Sequence, residues 1–132
     1  MSALAVVEEW LAAVDAADGA RLQRVTAEHV EIVGPRGAGR IDRRELTGWL
    51  ARSGFTATSL RWFCGGDGTV VVEQEAVWKD PATAMPRGSA RIASRFRVDG
   101  GSVAAYARHD DGLVPALAAA GLSGDDEVVS GR

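Results

Sequence analysis

The chain has 132 residues, 46% hydrophobic and 25% charged, which suits one ordinary soluble domain with a single core and leaves no room for a second. A formal charge of −3 and a pI near 5.3 exclude a general nucleic-acid or membrane-surface binder, since either needs a net basic face. The single cysteine, Cys64, excludes an internal disulfide framework and a cysteine-rich zinc site, and is read as a small buried residue. Residues 1–20 carry Glu8, Glu9, Asp15 and Asp18 in place of the basic start and apolar run of a signal peptide, so the expected compartment is the cytoplasm. Fourteen arginines to one lysine, with abundant Ala, Gly and Val, are the composition of a GC-rich, bacterial genome.

In chain order, Leu4, Val7, Leu11 and Val14 recur at helical spacing between Ser2 and Ala17, with Glu8, Glu9 and Asp15 outside the stripe and Trp10 at its edge. Asp18-Gly19 is expected to end this helix, with glycine taking the left-handed conformation. A short helix over 20–26 packs Leu22 and Val25 inward. His29 to Val33 alternates like a strand, Gly34 to Gly39 is a turn, and Arg40-Ile41 is a brief returning strand. Asp42 to Glu45 resembles a capping box for a helix that buries Leu46, Trp49 and Leu50 and stops near Ser53-Gly54.

Beyond Gly54 the hydrophobic period changes from helical to alternating. Ala57 to Cys64 and Thr69 to Lys79 are predicted strands joined at Gly65 to Gly68. In the second, Val70, Val72, Gln74, Ala76 and Trp78 share one face, and Val71, Glu73, Glu75, Val77 and Lys79 the other. After a loop over Asp80 to Arg87, two strands from Gly88 to Asp111 turn at Asp99 to Ser102. Leu113 to Leu122 is a short helix with Pro115 in its first turn. The predicted boundaries are one domain over 1–122 and a flexible acidic tail over 123–132. Helices followed by strands imply an α+β domain with helices on one face of an antiparallel sheet.

This order, with Ala13 to Leu22 closing the first helix and Glu31 to Gly37 before the third, resembles the nuclear transport factor 2-like superfamily over residues 4–112. That group includes SnoaL-like polyketide cyclases, ketosteroid isomerases and limonene epoxide hydrolases. The resemblance implies a curved antiparallel sheet wrapped around N-terminal helices to form a conical cavity, the cystatin-like α+β barrel, in a homodimer that pairs through the outer sheet face. Against the ketosteroid isomerase pattern, Trp10 falls at the helix tyrosine, Ser94 at the strand acid and Gly34 at the base. Gly34 can take no proton. The Arg-x-Asp pattern of the hydrolases is present in form at Arg108-His109-Asp110, on the last strand.

If Tyr106 points into the cone, alternation sends Arg108 and Asp110 the same way and His109 the other. The three then make a polar rail on an apolar wall of Trp10, Val14, Val72, Ala76, Trp78, Ile92 and Phe96, with Gln74 and Ser94 as added hydrogen-bonding groups. Arg108 would hold an oxygen or carboxylate of a small ligand. Asp110 would act as acid or base if burial raises its pKa, Tyr106 would orient an oxyanion, and Trp10 would donate its N–H. The structural alternative is an internal Arg108–Asp110 ion pair or a dimer contact. Trp49 and Trp62 are read as core, and Arg91, Arg95 and Arg97 as an outer face paired with Glu73 and Glu75 or lying in a dimer interface.

No metal site is expected, because His29 and His109-Asp110-Asp111 lack ligand spacing on a strand. No cofactor is expected either, since Gly34 to Gly39 lacks the Lys-Ser/Thr of a phosphate loop. Two functions fit: a SnoaL-like binder of a mostly apolar, oxygen-bearing molecule with isomerase-, cyclase- or hydrolase-type acid–base chemistry, or a non-catalytic dimerisation or partner-binding domain whose cone is filled by its own side chains.

Overall fold

The computed structural model describes residues 2–34, 37–80 and 82–129. Met1, Pro35 and Arg36 of the predicted turn, Pro81, and the last three residues of the predicted tail lie outside the described residues.

Helix α1 (Ala3–Asp15) starts where the Ser2 side chain accepts a hydrogen bond from the Ala5 N–H at 3.1 Å. It buries Val6, Val7, Trp10, Leu11, Ala13 and Val14, and each Val or Leu so removed from water contributes about 1.5–3 kcal/mol. The buried stripe is wider than the spacing predicts. Glu8 is drawn under the surface beside Cys64, and burial followed by the Glu8 charge pushes the Cys64 thiol pKa up. The left-handed residue that closes α1 is Ala17, not Gly19: the Asp18 and Ala17 N–H groups donate to the Ala13 and Val14 carbonyls at 3.0 Å each, and Ala17 takes a φ of 52°. Asp18 and Gly19 instead open α2 (Gly19–Arg24), with the Asp18 carboxylate capping Arg21. Arg21 also grips Glu9 of α1 with a two-pronged ion pair at 2.6 and 2.7 Å.

Strands β1 (Thr26–Gly34) and β2 (Gly37–Asp42) form a hairpin, and α3 (Arg43–Arg52) follows, capped by Asp42 on the Arg44 N–H at 2.7 Å. Leu46 and Leu50 are buried as predicted, but Trp49 is 49% exposed. The helix turns only part of its apolar set inward. Gly54 then adopts a φ of 69° where a Cβ would collide with the Lys79 carbonyl, so the close crossing of the α3 exit over the sheet edge requires glycine.

Strands β3 (Phe55–Cys64), β4 (Thr69–Lys79), β5 (Pro86–Asp99) and β6 (Ser102–His109) form an antiparallel run, the last pair turning through Gly100 and Gly101 at φ 58° and 82°. With a short last strand, β7 (Glu127–Val128), the sheet order is β2-β1-β6-β5-β4-β3-β7, with β1 parallel to β6, so one junction departs from the all-antiparallel expectation. Register shifts at Ser59/Arg61, Trp78/Lys79 and Arg97/Val98 place bulges that bend the sheet. The main core fills its concave face against α1, α2 and α3.

Helix α4 (Leu113–Ala120) corrects the one-sided picture. It packs on the opposite face, where Ala116 meets Phe63, Val71 and Ala93 in a second small core. The expected loose tail is corrected as well: Gly124–Asp126 is a 3-10 turn with a Ser123–Asp126 capping box, and β7 (Glu127–Val128) pairs with β3 at Trp62 and Phe63. Arg61 fixes Glu127 at 2.8 and 3.1 Å. No helix of the described residues is long and apolar enough to cross a membrane.

Because a left-handed conformation costs an L-residue about 1–2 kcal/mol, Ala17→Gly is expected to stabilise the chain by up to about 1 kcal/mol in urea unfolding. Ala13→Gly, inside α1 and buried, should destabilise it by about 1 kcal/mol or more. Equal losses from both would show that Ala17 bears no strain.

Candidate functional site

The concave face brings the predicted site residues together in two zones. Its floor is aromatic. Trp10 of α1 meets Phe96 of β5 edge-on at 5.1 Å and Tyr106 of β6 at 5.2 Å, and Phe96 and Tyr106 lie 5.2 Å apart. The bulge at Arg97/Val98 lets β6 present Val103 and Tyr106 to the same side, and alternation from Tyr106 carries Arg108 with it. Around this triad Val14, Val72, Ala76 and Ile92 are buried, so the wall read from the sequence is a packed interior in this conformation. The Trp10 N–H, expected to face a ligand, instead donates to the Thr26 hydroxyl at 3.2 Å, which donates on to the Leu22 carbonyl at 2.7 Å. Thr26 was not legible as a site residue, because nothing in sequence ties it to Trp10.

A polar line crosses this floor. The Ser94 hydroxyl donates to Gln74 Oε1 at 2.7 Å, and Tyr106 lies beside Ser94. Burial raises the Tyr106 pKa above 10.0; Ser94 and the Arg108 charge oppose the rise without cancelling it, so the phenol stays neutral. Gln74 is 0% exposed, and its Nε2 is a buried donor with no hydrogen-bond partner among the described residues. Leaving such a donor unpaired costs about 1–3 kcal/mol.

The outer zone is charged. Arg108, its side chain 24% exposed, forms a two-pronged ion pair with Asp110 at 2.8 and 3.3 Å and stands 5.5 Å from the Trp78 ring. The Asp110 side chain is 46% exposed, so it is not the buried acid the sequence reading supposed. Trp78 packs on Phe55 with centroids 5.6 Å apart. Next to Phe55, an apolar concavity of about 170 Å³ opens between the ends of α1 and α3, bounded by Val14 and Leu50.

On the outer face, Arg91 pairs with Glu75 at 3.0 Å as expected. Arg97 reaches Glu31 of β1 at 3.7 Å instead of Glu73, and Arg95 donates to Nε2 of His109, which does point away from Tyr106. Trp62 is buried as predicted. Among the described residues no group of three His, Cys, Asp or Glu side chains is placed to hold a metal.

No protein-family model matches the sequence, and no curated protein matches it. Solved structures do match its shape. One is an epoxide hydrolase from M. tuberculosis, like the limonene epoxide hydrolases, at 21% identity and a TM-score of 0.70 over 89% of this chain and 93% of that one. Another is a protein from Cytophaga hutchinsonii of unknown function, at 11% identity and a TM-score of 0.70 over 83% and 89%; its description is nuclear transport factor 2-like. The chain has the nuclear transport factor 2-like fold. A third similar structure is a Catenulispora acidiphila protein with a ketosteroid isomerase-like fold, in complex with trimethylamine, at 22% identity and a TM-score of 0.65 over 91% and 95%. Trp10, Ser94 and Tyr106 are buried between α1 and the sheet, and Arg108 and Asp110 lie toward its more exposed side.

Tyr106 is the only tyrosine, so its ionisation can be followed by absorbance alone. The fold favours the neutral phenol, so its contribution to stability is complete below pH 10.0 and is lost as pH rises through the higher folded value. The phenolate should appear above 10.0 and together with unfolding. Titration near 10.0 with the fold retained would mean that water reaches the hydroxyl.

Proposed function

We propose that this chain binds a small, mostly apolar molecule with an oxygen-bearing end, admitted past Phe55, Trp78 and Arg108 and held by Gln74 inside the cone. One observation carries the reading: the Gln74 carboxamide is fully buried, is held by Ser94 through its oxygen, and keeps a free N–H donor on the concave face. A ligand carbonyl or ether oxygen would satisfy that donor, while the aromatic floor supplies apolar contact. Such a ligand enters only if the Trp10–Phe96–Tyr106 packing yields, so binding is coupled to side-chain rearrangement.

For chemistry of the isomerase, cyclase or hydrolase kind, neutral Tyr106 is the hydrogen-bond donor to a developing oxyanion and Asp110 the proton acceptor. Asp110 is engaged by Arg108. A ligand oxygen that captured the guanidinium would release the carboxylate for that role.

The second reading is a non-catalytic dimerisation or partner-binding domain, favoured by the close aromatic packing of the interior. A second copy would dock on the outer sheet face that α4 leaves uncovered, about the Glu75–Arg91 pairs.

Native mass spectrometry of the freshly purified protein separates the two. A discrete small-molecule adduct that Gln74→Leu abolishes supports the first reading; a dimer without adduct supports the second. Gln74→Leu removes the unpaired donor but also takes the acceptor from the buried Ser94 hydroxyl, so the double variant Gln74→Leu/Ser94→Ala, which leaves neither group unpaired, is the one expected to stabilise the chain, by about 1 kcal/mol. A loss of stability of that size would make the carboxamide a structural group.

A further inference from the structure

A second cavity lies on the other side of the sheet. This groove of about 250 Å³ runs between β1 and the end of α4, floored by Ala105 and Ala107 of β6, with Arg95 and Arg97 of β5 projecting along it. Alanines at the floor leave space above the sheet that larger side chains would fill.

Arg95 is the unusual residue of this groove. It is partly buried, yet among the described residues no carboxylate pairs with it, and the one hydrogen bond its side chain makes among them runs from Nε to Nε2 of His109 at 3.3 Å. That bond requires His109 to be an acceptor at Nε2. Burial, then the Arg95 charge, holds the His109 pKa below 6.5, which keeps the ring neutral and able to accept. With Nε tethered, the two terminal nitrogens are the donors left for a ligand, in the fork geometry that matches a carboxylate. Arg97, on the same face, makes only a 3.7 Å contact with Glu31. The other arginines of β5 contrast with Arg95: Arg87 pairs with Asp80 at 2.8 Å and Arg91 with Glu75 at 3.0 Å.

We propose that this groove is an anion site in which the Arg95 guanidinium receives the carboxylate of a small monocarboxylic acid whose apolar body lies on Ala105 and Ala107. Glu31 and Asp67 on the lining make the local charge balanced overall. They disfavour a doubly charged phosphate and leave a single negative charge as the one the arginine fork accommodates. The site is independent of the Gln74 reading, being on the opposite face of β5 and β6.

The test uses the full chain, with benzoate as probe and benzamide as its neutral isostere, at constant ionic strength and near neutral pH. Backbone amide shifts of Arg95, Ala105, Ala107 and Ala119 are followed by NMR. The expected result is saturable movement with benzoate and none with benzamide. Arg95→Gln should weaken binding by about tenfold or more. Arg91→Gln, which removes the same charge from the same strand face, should leave it within about twofold. Equal responses to benzoate and benzamide, equal losses from the two variants, tighter binding of phosphate than benzoate, or no saturable shift would each overturn the site. Sedimentation of Arg95→Gln is measured alongside, and a changed oligomeric state without benzoate binding would assign Arg95 to a contact between copies instead.

Discussion

A sheet bent by bulges creates a concave face that something must fill, and in this chain α1 fills it with Trp10. The indole is the one side chain that touches both Phe96 and Tyr106 while its N–H is bonded through Thr26 to the end of α2. It thereby couples the first helix, the second helix and the two central strands. Removing a buried Trp costs about 3–5 kcal/mol, a large share of the roughly 5–15 kcal/mol that holds a domain folded. The cone is therefore closed by the residue on which the packing of the helices against the sheet depends.

Two polar features stand against that apolar background and differ in kind. The Arg108–Asp110 pair is partly exposed and internally satisfied, so it costs little and contributes little. The Gln74 carboxamide is sealed and half-satisfied, a placement that opposes stability. Leucine or methionine there, with an apolar residue in place of Ser94, would fill the same space without that penalty. Under the proposed function, a ligand oxygen that accepts from Nε2 would offset that cost.

The strands were legible because alternation is a local signal. The inner set Val70, Val72, Gln74 and Ala76 and the β5–β6 turn follow directly from period and glycine placement. Features that depend on distant partners were not legible. The parallel β1–β6 junction joins segments separated by the whole middle of the chain. The side chosen by α4 depends on Phe63, Val71 and Ala93 having formed an apolar patch on a face otherwise rich in charge. Trp49 has helical spacing suited to burial, yet the α3 core contact is complete with Leu46 and Leu50. At the end of α1, glycine marks the stop by rule, but the hydrogen-bond register puts the left-handed residue two positions earlier, at Ala17. For the site, the sequence placed Tyr106, Arg108, Ser94 and Gln74 on one face; which donors were already spent was a matter of distances.

The most direct test of the account is the side-chain amide of Gln74. The chain contains two glutamines, Gln23 and Gln74, and no asparagine, so only two carboxamide groups contribute to the nitrogen-correlated proton spectrum. On titration with a neutral ketone such as cyclohexanone, the account predicts saturable downfield movement of the Gln74 Nε2 protons as the ketone oxygen accepts from them, with the Gln23 signals unmoved. Gln74 signals that stay fixed while the ketone shifts Trp78 or surface residues would contradict a ligand oxygen inside the cone.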